Sequence, residues 1–197
     1  MNKKLQKRLA RSIDSHRIVE ISRSSVTDWA ALGIPVEQSS EFLCLLNVDE
    51  HYTFNGFSLL RLEDIDCVSM WKERQDMVQH VLARRHLETP AMRFSIADQE
   101  AGLPQILPRI QNAYPLVTIH REGIDDSVCY VGTVATLKKK SFVMNLLGTA
   151  AEWEGTRKFR YSDVTRVDFG GKYEDALWLY AQHLSQDVPP VDVSGIE

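Results

Sequence analysis

Two stretches of this 197-residue chain resemble each other, and this internal repeat constrains the fold more than any other feature of the sequence. Residues 18–87 align with residues 116–185 at an offset of 98 to 100 positions, and residues 56–68 match residues 155–167 without a gap. A repeat predicts one supersecondary unit used twice, so we expect both ends of the chain to fold alike. The identical pairs in the gap-free match are Gly56/Gly155, Arg61/Arg160, Asp64/Asp163 and Val68/Val167.

Each copy follows the same order of predicted elements. A β-rich segment opens the copy, a loosely alternating segment begins near Gly33 or Gly132, and a short apolar strand follows a polar turn. An acidic, aromatic loop then ends at Gly56 or Gly155, where we expect a turn with positive φ. A last strand leads into a closing helix. The strands so predicted are 17–22, 42–48 and 59–68 in the first copy and 116–121, 142–147 and 158–169 in the second.

Helical spacing of apolar residues predicts four helices. Residues 3–15 predict an amphipathic helix, and residues 95–112 predict a connecting helix that Pro104 and Pro108 interrupt or kink. The tail 187–197 lacks an apolar pattern and is predicted to be disordered. The positions that define the two closing helices are Met77, Val78, Val81 and Leu82 in the first copy, and Ala176, Leu177, Tyr180 and Leu184 in the second.

These elements predict a mainly β fold with helices (β/α+β). Four or five short strands per copy are typical of a small barrel of the SH3-like or Sm-like type, because closing a sheet removes its exposed edges. We therefore expect two tandem small β-barrels, each closed by a C-terminal helix, and an N-terminal amphipathic helix. The predicted domains are 1–87 (N-terminal helix and first barrel) and 88–186 (linker helix and second barrel), followed by the 187–197 tail.

Several motifs carry a family resemblance. The second copy contains Tyr130-Val-Gly-Thr-Val134, Trp153-Glu-Gly155 and the stretch 159–173, and the first contains Phe54-Asn-Gly-Phe57 and Leu62-Glu-Asp-Ile65. With these motifs, nearly the whole chain resembles an uncharacterised bacterial family of tandem small β-barrel proteins of the Sm-like or SH3-like type. The resemblance implies the barrel fold and no established activity. An RNA-binding surface would follow from analogy of fold alone.

Charge and cysteine usage indicate the class of protein. The formal net charge of −4 disfavours a protein whose whole surface binds nucleic acid. Cys44, Cys67 and Cys129 lie far apart, which favours free thiols in a reducing compartment over disulfides or a zinc site. No apolar run approaches a membrane span, and the N-terminus lacks the apolar core of a signal peptide. We expect a soluble, cytoplasmic protein without a membrane partner.

The sequence contains no recognisable catalytic or metal-binding constellation. The six histidines lack the HxH and HExxH spacings, and no P-loop, GxGxxG or GxSxG motif is present. Asp64 and Asp163 could form a carboxylate pair, but their symmetric placement favours an aspartate that accepts backbone N–H bonds at one turn in each copy. We therefore expect no catalytic residue, cofactor or metal. A hydrolase with an unrecognised site at the junction of the barrels is the second alternative.

Basic residues favour a first alternative, an Sm-like RNA-binding or regulatory protein. A basic N-terminal helix and a tri-lysine turn could hold phosphates. Charge runs are also typical of solvated faces, and lysines at a hairpin protect strand edges from pairing with other chains. The candidate RNA-binding residues are Lys3, Lys4, Lys7, Arg8, Arg11, Lys138, Lys139 and Lys140.

The acidic, aromatic loops favour our leading hypothesis. Trp29, Phe54 and Trp153 lie near carboxylates, which suit a basic peptide or protein partner and repel nucleic acid. The alternative is that Phe54 and Trp153 plug the ends of the barrels. We expect a non-enzymatic interaction or assembly module of unknown process with a protein or peptide partner, and the sequence leaves self-association open.

Overall fold

The computed structural model describes residues 3–70, 72–98 and 101–184, which form one antiparallel sheet of ten strands with four helices. The predicted disorder of 187–197 lies outside the described residues. The strands are β1 (Val19–Ser22), β2 (Ala31–Gln38), β3 (Phe42–Val48), β4 (Phe54–Arg61), β5 (Cys67–Ser69), β6 (Val117–Arg121), β7 (Asp125–Lys138), β8 (Ser141–Leu147), β9 (Trp153–Arg160) and β10 (Arg166–Phe169). The helices are α1 (Lys3–Ser15), α2 (Lys72–Arg84), α3 (Leu103–Ala113) and α4 (Lys172–His183).

The sheet is open, with the strand order β5-β1-β2-β3-β4-β10-β6-β7-β8-β9. Each half places its fifth strand beside its first, and the halves are joined because β4 pairs with β10. The prediction of two closed SH3-like or Sm-like barrels is therefore wrong. The free bonding groups of β4 are satisfied by the other half of the chain, which extends the sheet instead of closing it. Among the described strands, β5 and β9 are the two edges.

The paired glycines have the predicted positive φ, but they lie within strands and not in turns. Gly56 has φ of 63° and Gly155 has φ of 101°, which confirms the expected positive φ. Both lie inside strands, β4 and β9, next to register shifts at Leu46/Val48 and Leu146/Leu147. They therefore accommodate bulges rather than turns. The predicted last strand of each copy is divided by a 3₁₀ turn, Leu62–Asp64 or Tyr161–Asp163.

A helix before the first strand of each half covers one apolar core. The helix α1 has the predicted bounds, and its Leu5 and Leu9 pack with the buried Leu43 and Leu45. The connecting helix is shorter than predicted, because α3 begins at Leu103.

The closing helices bury fewer of the predicted apolar positions than expected. In α2, Val78 and Leu82 are buried but Met77 is exposed. In α4, Leu177 is buried but Tyr180 is half-exposed. Helical periodicity located both helices, but contacts with the sheet selected the buried face.

The pairing of β4 with β10, which we call the seam, is apolar on one face. The rings of Phe57 and Phe169 stack with centroids 5.6 Å apart, and Leu59 lies opposite Val167. All four side chains belong to the largest hydrophobic core, which α3 also enters. Burial of this surface joins the two halves into one core.

Candidate functional site

The edge strand β9 is the most exposed strand in the described part of the chain. Its only neighbour in the sheet is β8, so one side of its eight-residue backbone faces no other strand. From Glu154 to Lys158 every side chain is exposed, and Arg160 is exposed as well. A backbone edge of this length can accept another strand.

Three lysines lie beside the basic end of this strand. In the ladder, Lys138 pairs with Ser141, and Ser141 pairs with Arg160. The backbone N–H of Tyr161 also donates to the carbonyl of Lys140. We call this surface the basic edge. It consists of Lys138, Lys139, Lys140, Arg157, Lys158 and Arg160, which are all exposed.

An aromatic ring next to the basic edge is already engaged by arginine. The Arg157 guanidinium carbon lies 4.3 Å from the ring centroid of Tyr130, and that of Arg121 lies 5.1 Å away. Arg121 also donates to the Tyr130 hydroxyl at 3.0 Å. These cation–π contacts fix the position of Arg157 and occupy the ring that a nucleobase would otherwise stack on.

The predicted RNA-binding residues are divided between two halves of the sheet. Lys3, Lys4, Lys7, Arg8 and Arg11 are exposed on α1, which packs on the first half. Lys138–Lys140 belong to the second half. The two basic segments therefore lie on different halves of the sheet. The RNA-binding alternative had assigned them to one protein surface.

The three predicted aromatic partner-binding residues do not share one environment. Trp29 is 79% exposed in the loop before β2. Phe54 packs against two hydrophobic clusters, and Trp153 packs on the cluster beneath α4. Phe54 and Trp153 thus support the core, and Trp29 is the exposed ring of the three.

Asp49 connects the acidic loop of the first copy to Lys172, the first residue of α4. It accepts hydrogen bonds from the backbone N–H of His51 and Thr53 and from Lys172 Nζ. Burial alone would raise the pKa of Asp49, but the hydrogen bonds from Lys172 and Thr53 lower it to about 2. The carboxylate is therefore committed to an internal contact and is not free to orient a basic peptide.

A polar network occupies the face of the seam opposite Phe57 and Phe169. Asp168 accepts a hydrogen bond from Ser58 Oγ at 2.5 Å, and His120 Nε2 lies 2.9 Å from its other oxygen. Arg166 Nη2 lies 3.1 Å from His120 Nδ1. Burial would raise the pKa of Asp168, but Arg166, His120 and Ser58 lower it to about 2.

This network is not arranged for nucleophilic catalysis. Arg166 Nη2 lies 3.1 Å from Nδ1 and 3.0 Å from Nε2 of His120, and Nε2 also contacts Asp168. The hydroxyl of Ser58 donates to the Asp168 carboxylate and not to the imidazole, so the network lacks the hydrogen bond between nucleophile and base that such catalysis needs. Burial raises the pKa of the neighbouring Cys129 thiol, which disfavours a thiolate nucleophile.

A buried ion pair lies next to this network and joins loops of both halves. Arg23 and Glu122 form two hydrogen bonds, at 2.5 and 2.8 Å, and their side chains are 1% and 4% exposed. Arg166 reaches the same carboxylate at 3.2 Å. Removal of Glu122 would leave the buried Arg23 without its counter-ion, whereas removal of Arg23 would leave Glu122 paired with Arg166.

The repeated aspartates have local structural roles. Asp64 accepts two hydrogen bonds from Arg61, and Asp163 accepts one from Ser162. Each lies in its own 3₁₀ turn. Among the described residues, no group of three His, Cys, Asp or Glu side chains could hold a metal ion.

Sequence reasoning found three residues of the basic edge, Lys138–Lys140, but missed its other three residues and the seam network. Arg157, Lys158 and Arg160 carried a signal, because these three cations fall within four consecutive residues at the start of a predicted strand. Ser58, His120 and Asp168 carried none, because they lie 48 to 110 positions apart. Only the pairing of β4, β10 and β6 brings them together.

None of the helices in the described part of the chain is long and apolar enough to cross a membrane. No known family model matches the chain, and neither a curated protein nor a solved structure matches it.

Proposed function

We propose that the chain is a non-enzymatic interaction module that binds an extended acidic segment of a partner protein along β9. The observation that carries the proposal is an eight-residue edge strand with one side free of any described strand. Strand addition supplies main-chain hydrogen bonds, and side chains of the host strand select the partner.

The charge of the basic edge specifies the partner's chemistry. Its six cations have no ion-pair partner among the described residues. A segment with acidic residues at alternating positions would place its carboxylates on the same face as a row of these cations. The proposed partner is acidic, whereas the sequence favoured a basic one; the pairing of the acidic Asp49 with Lys172 supports this change.

RNA fits the basic edge less well than a peptide does. Single-stranded nucleic acid is normally held by aromatic rings on which bases stack. Tyr130 is the aromatic ring nearest to Arg157, and it is already stacked with guanidinium groups. A peptide needs no such platform, because the backbone of β9 supplies the contacts.

The test is the affinity of a fluorescent peptide that alternates glutamate and valine, measured by anisotropy. We expect the same peptide with N-methyl groups on alternate residues to bind about tenfold more weakly, because each blocked N–H removes a main-chain hydrogen bond. Oligouridylate of equal charge serves as the polyanion control. Equal binding of all three ligands would overturn strand addition, and so would stronger binding of the RNA.

A matched pair of variants locates the surface. Replacing Lys139, Lys140 and Arg160 with serine should weaken peptide binding about tenfold, since each exposed ion pair contributes about 0.2–1 kcal/mol. Replacing Lys4, Lys7 and Arg11 with serine removes the same charge from α1 and should leave the affinity within about twofold. An equal effect of the two variants would place binding elsewhere.

A further inference from the structure

A cavity of about 200 Å³ opens at the seam beside the first turn of α4. The residues that line it include Asp168, Glu174, Thr118 and Tyr173. Neither lysine nor arginine is among the described residues that line it. The cavity therefore combines two acidic residues and a tyrosine, and His120, the basic side chain among its described lining residues, is bonded to Asp168.

Glu174 is the buried acid of this cavity that has no counter-ion. It is 6% exposed, and its carboxylate accepts a hydrogen bond from Thr118 Oγ1. The other two buried acids in the described ranges, Asp64 and Glu122, are each paired with an arginine. No basic side chain lies within ion-pair distance of Glu174 among the described residues.

The position of Glu174 in α4 accounts for its presence but not for the missing charge. Gly171 is the N-cap of the helix, so Glu174 is its third residue, where a glutamate can reach back toward the first amides. Burial raises the pKa of Glu174 and the nearby Asp168 raises it further, although hydrogen bonds from Thr118 and from the first backbone amides of α4 oppose the rise. A bound cation would oppose both effects, because it supplies the counter-charge that the protein lacks.

We propose that the seam cavity binds a small aliphatic ammonium ion, with Glu174 as its counter-ion and the ring of Tyr173 against the cationic group. Asp168 is already paired with Arg166 and His120, whereas Glu174, which accepts a hydrogen bond from Thr118, is the lining carboxylate without an ion-pair partner among the described residues. The volume holds about six or seven non-hydrogen atoms, at about 30 Å³ for each water-sized atom. This small-molecule site is independent of the peptide-binding edge on β9.

The test compares n-butylammonium with n-butanol, which has the same size and no charge, by calorimetric titration of the full chain at pH 7. We expect n-butylammonium to bind at least about tenfold more tightly than n-butanol. Glu174→Gln should remove that preference. Tyr173→Leu should weaken ammonium binding by about two- to fivefold, as expected for the loss of an exposed cation–π contact.

The controls separate a lost site from a lost fold. Glu152→Gln removes an exposed carboxylate outside the cavity and should leave binding unchanged. Tyr173 is 49% exposed, so Tyr173→Leu should keep the fold even if Glu174→Gln does not. The proposal is overturned if n-butanol binds as tightly as n-butylammonium, if folded Glu174→Gln retains the preference, or if Tyr173→Leu binds like the unmodified chain.

Discussion

Strands β4 and β9 occupy the same position in the two halves of the sheet, but β4 is joined to a partner strand and β9 is not. In the gap-free alignment, Phe57 and Leu59 of β4 correspond to Thr156 and Lys158 of β9. The apolar pair packs against Phe169 and Val167 of β10, whereas Thr156 and Lys158 are exposed. The side chains on an otherwise similar strand therefore decide whether the sheet continues or ends.

The second edge of the sheet is protected in a different way. Strand β5 has three residues, and Arg8 of α1 donates to the carbonyl of Val68 at 3.3 Å. A short strand with a cation placed over its backbone is a poor template for another chain. The long, uncovered β9 is therefore the edge that remains able to accept a partner.

The largest expected effect comes from removing the apolar contact of the seam. Phe57→Ala should lower the free energy of unfolding by about 3–5 kcal/mol, because Phe57 is 3% exposed and loses its stacked contact with Phe169. Thr156→Ala, at the corresponding position of β9, should change it by less than about 0.5 kcal/mol. Urea denaturation of both variants measures the difference, and similar losses would contradict the comparison.

The repeated glycines should also differ in cost. Gly155→Ala should lower the free energy of unfolding by about 1–2 kcal/mol, because alanine is strained at positive φ. It should add no steric cost, because a Cβ there meets no atom within 4 Å. Gly56→Ala should lower the free energy of unfolding by about 1–3 kcal/mol more than Gly155→Ala does, because its Cβ would lie 2.4 Å from the backbone nitrogen of Gly171. Denaturation of the two variants side by side gives the difference. Equal losses of unfolding free energy would mean that the bulges require glycine, and that the close approach of Gly56 to Gly171 does not.

Acid should weaken the seam through Asp168. Its pKa falls from 3.8 to about 2 on folding, so its contribution is complete above pH 4 and is lost as the pH falls toward 2. The shift corresponds to about 2 kcal/mol. Asp168→Asn should reduce stability at pH 7 by about that amount and flatten its fall between pH 4 and 2, as measured by urea denaturation across this range. Asp126→Asn, an exposed control, should change neither.

The smallest expected effect on stability comes from making β9 resemble β4. Thr156→Phe combined with Lys158→Leu should change the free energy of unfolding by less than about 0.5 kcal/mol, because both positions are exposed. The double variant should nevertheless self-associate with increasing concentration, since it adds apolar groups to an open edge. Sedimentation velocity measures the association. A double variant that stays monomeric at concentrations of order 100 µM would show that the charges of β9 do not end the sheet.

Part of the fold could be predicted because its signals are local. The spacing of Leu5, Leu9 and Ile13 predicted α1 with the observed bounds, and the apolar run 42–48 predicted β3. The connecting helix was predicted too long. Pro104 is tolerated in the first turn of α3, so the helix begins at Leu103 and not at the earlier polar residues.

The candidate site was less accessible from the sequence. Lys138–Lys140 were predicted as basic candidates, but their neighbours Arg157 and Arg160 become part of one surface only through the pairing of β8 with β9. The cavity at the seam depends on contacts between residues from both halves, such as Thr118 and Glu174. No local pattern encodes such contacts.

The amino-acid sequence alone determined the order of the elements in each half, the positive φ of its paired glycines and the amphipathic α1, because neighbouring residues suffice for each of these. Only the tertiary structure decided that β4 would bond to β10 instead of closing its own half. That choice depends on free backbone groups and on Phe57 meeting Phe169, two side chains 112 positions apart. The open edge at β9 is a consequence of the same pairing, because an open sheet has two edge strands and β9, with its charged side chains, is one of them.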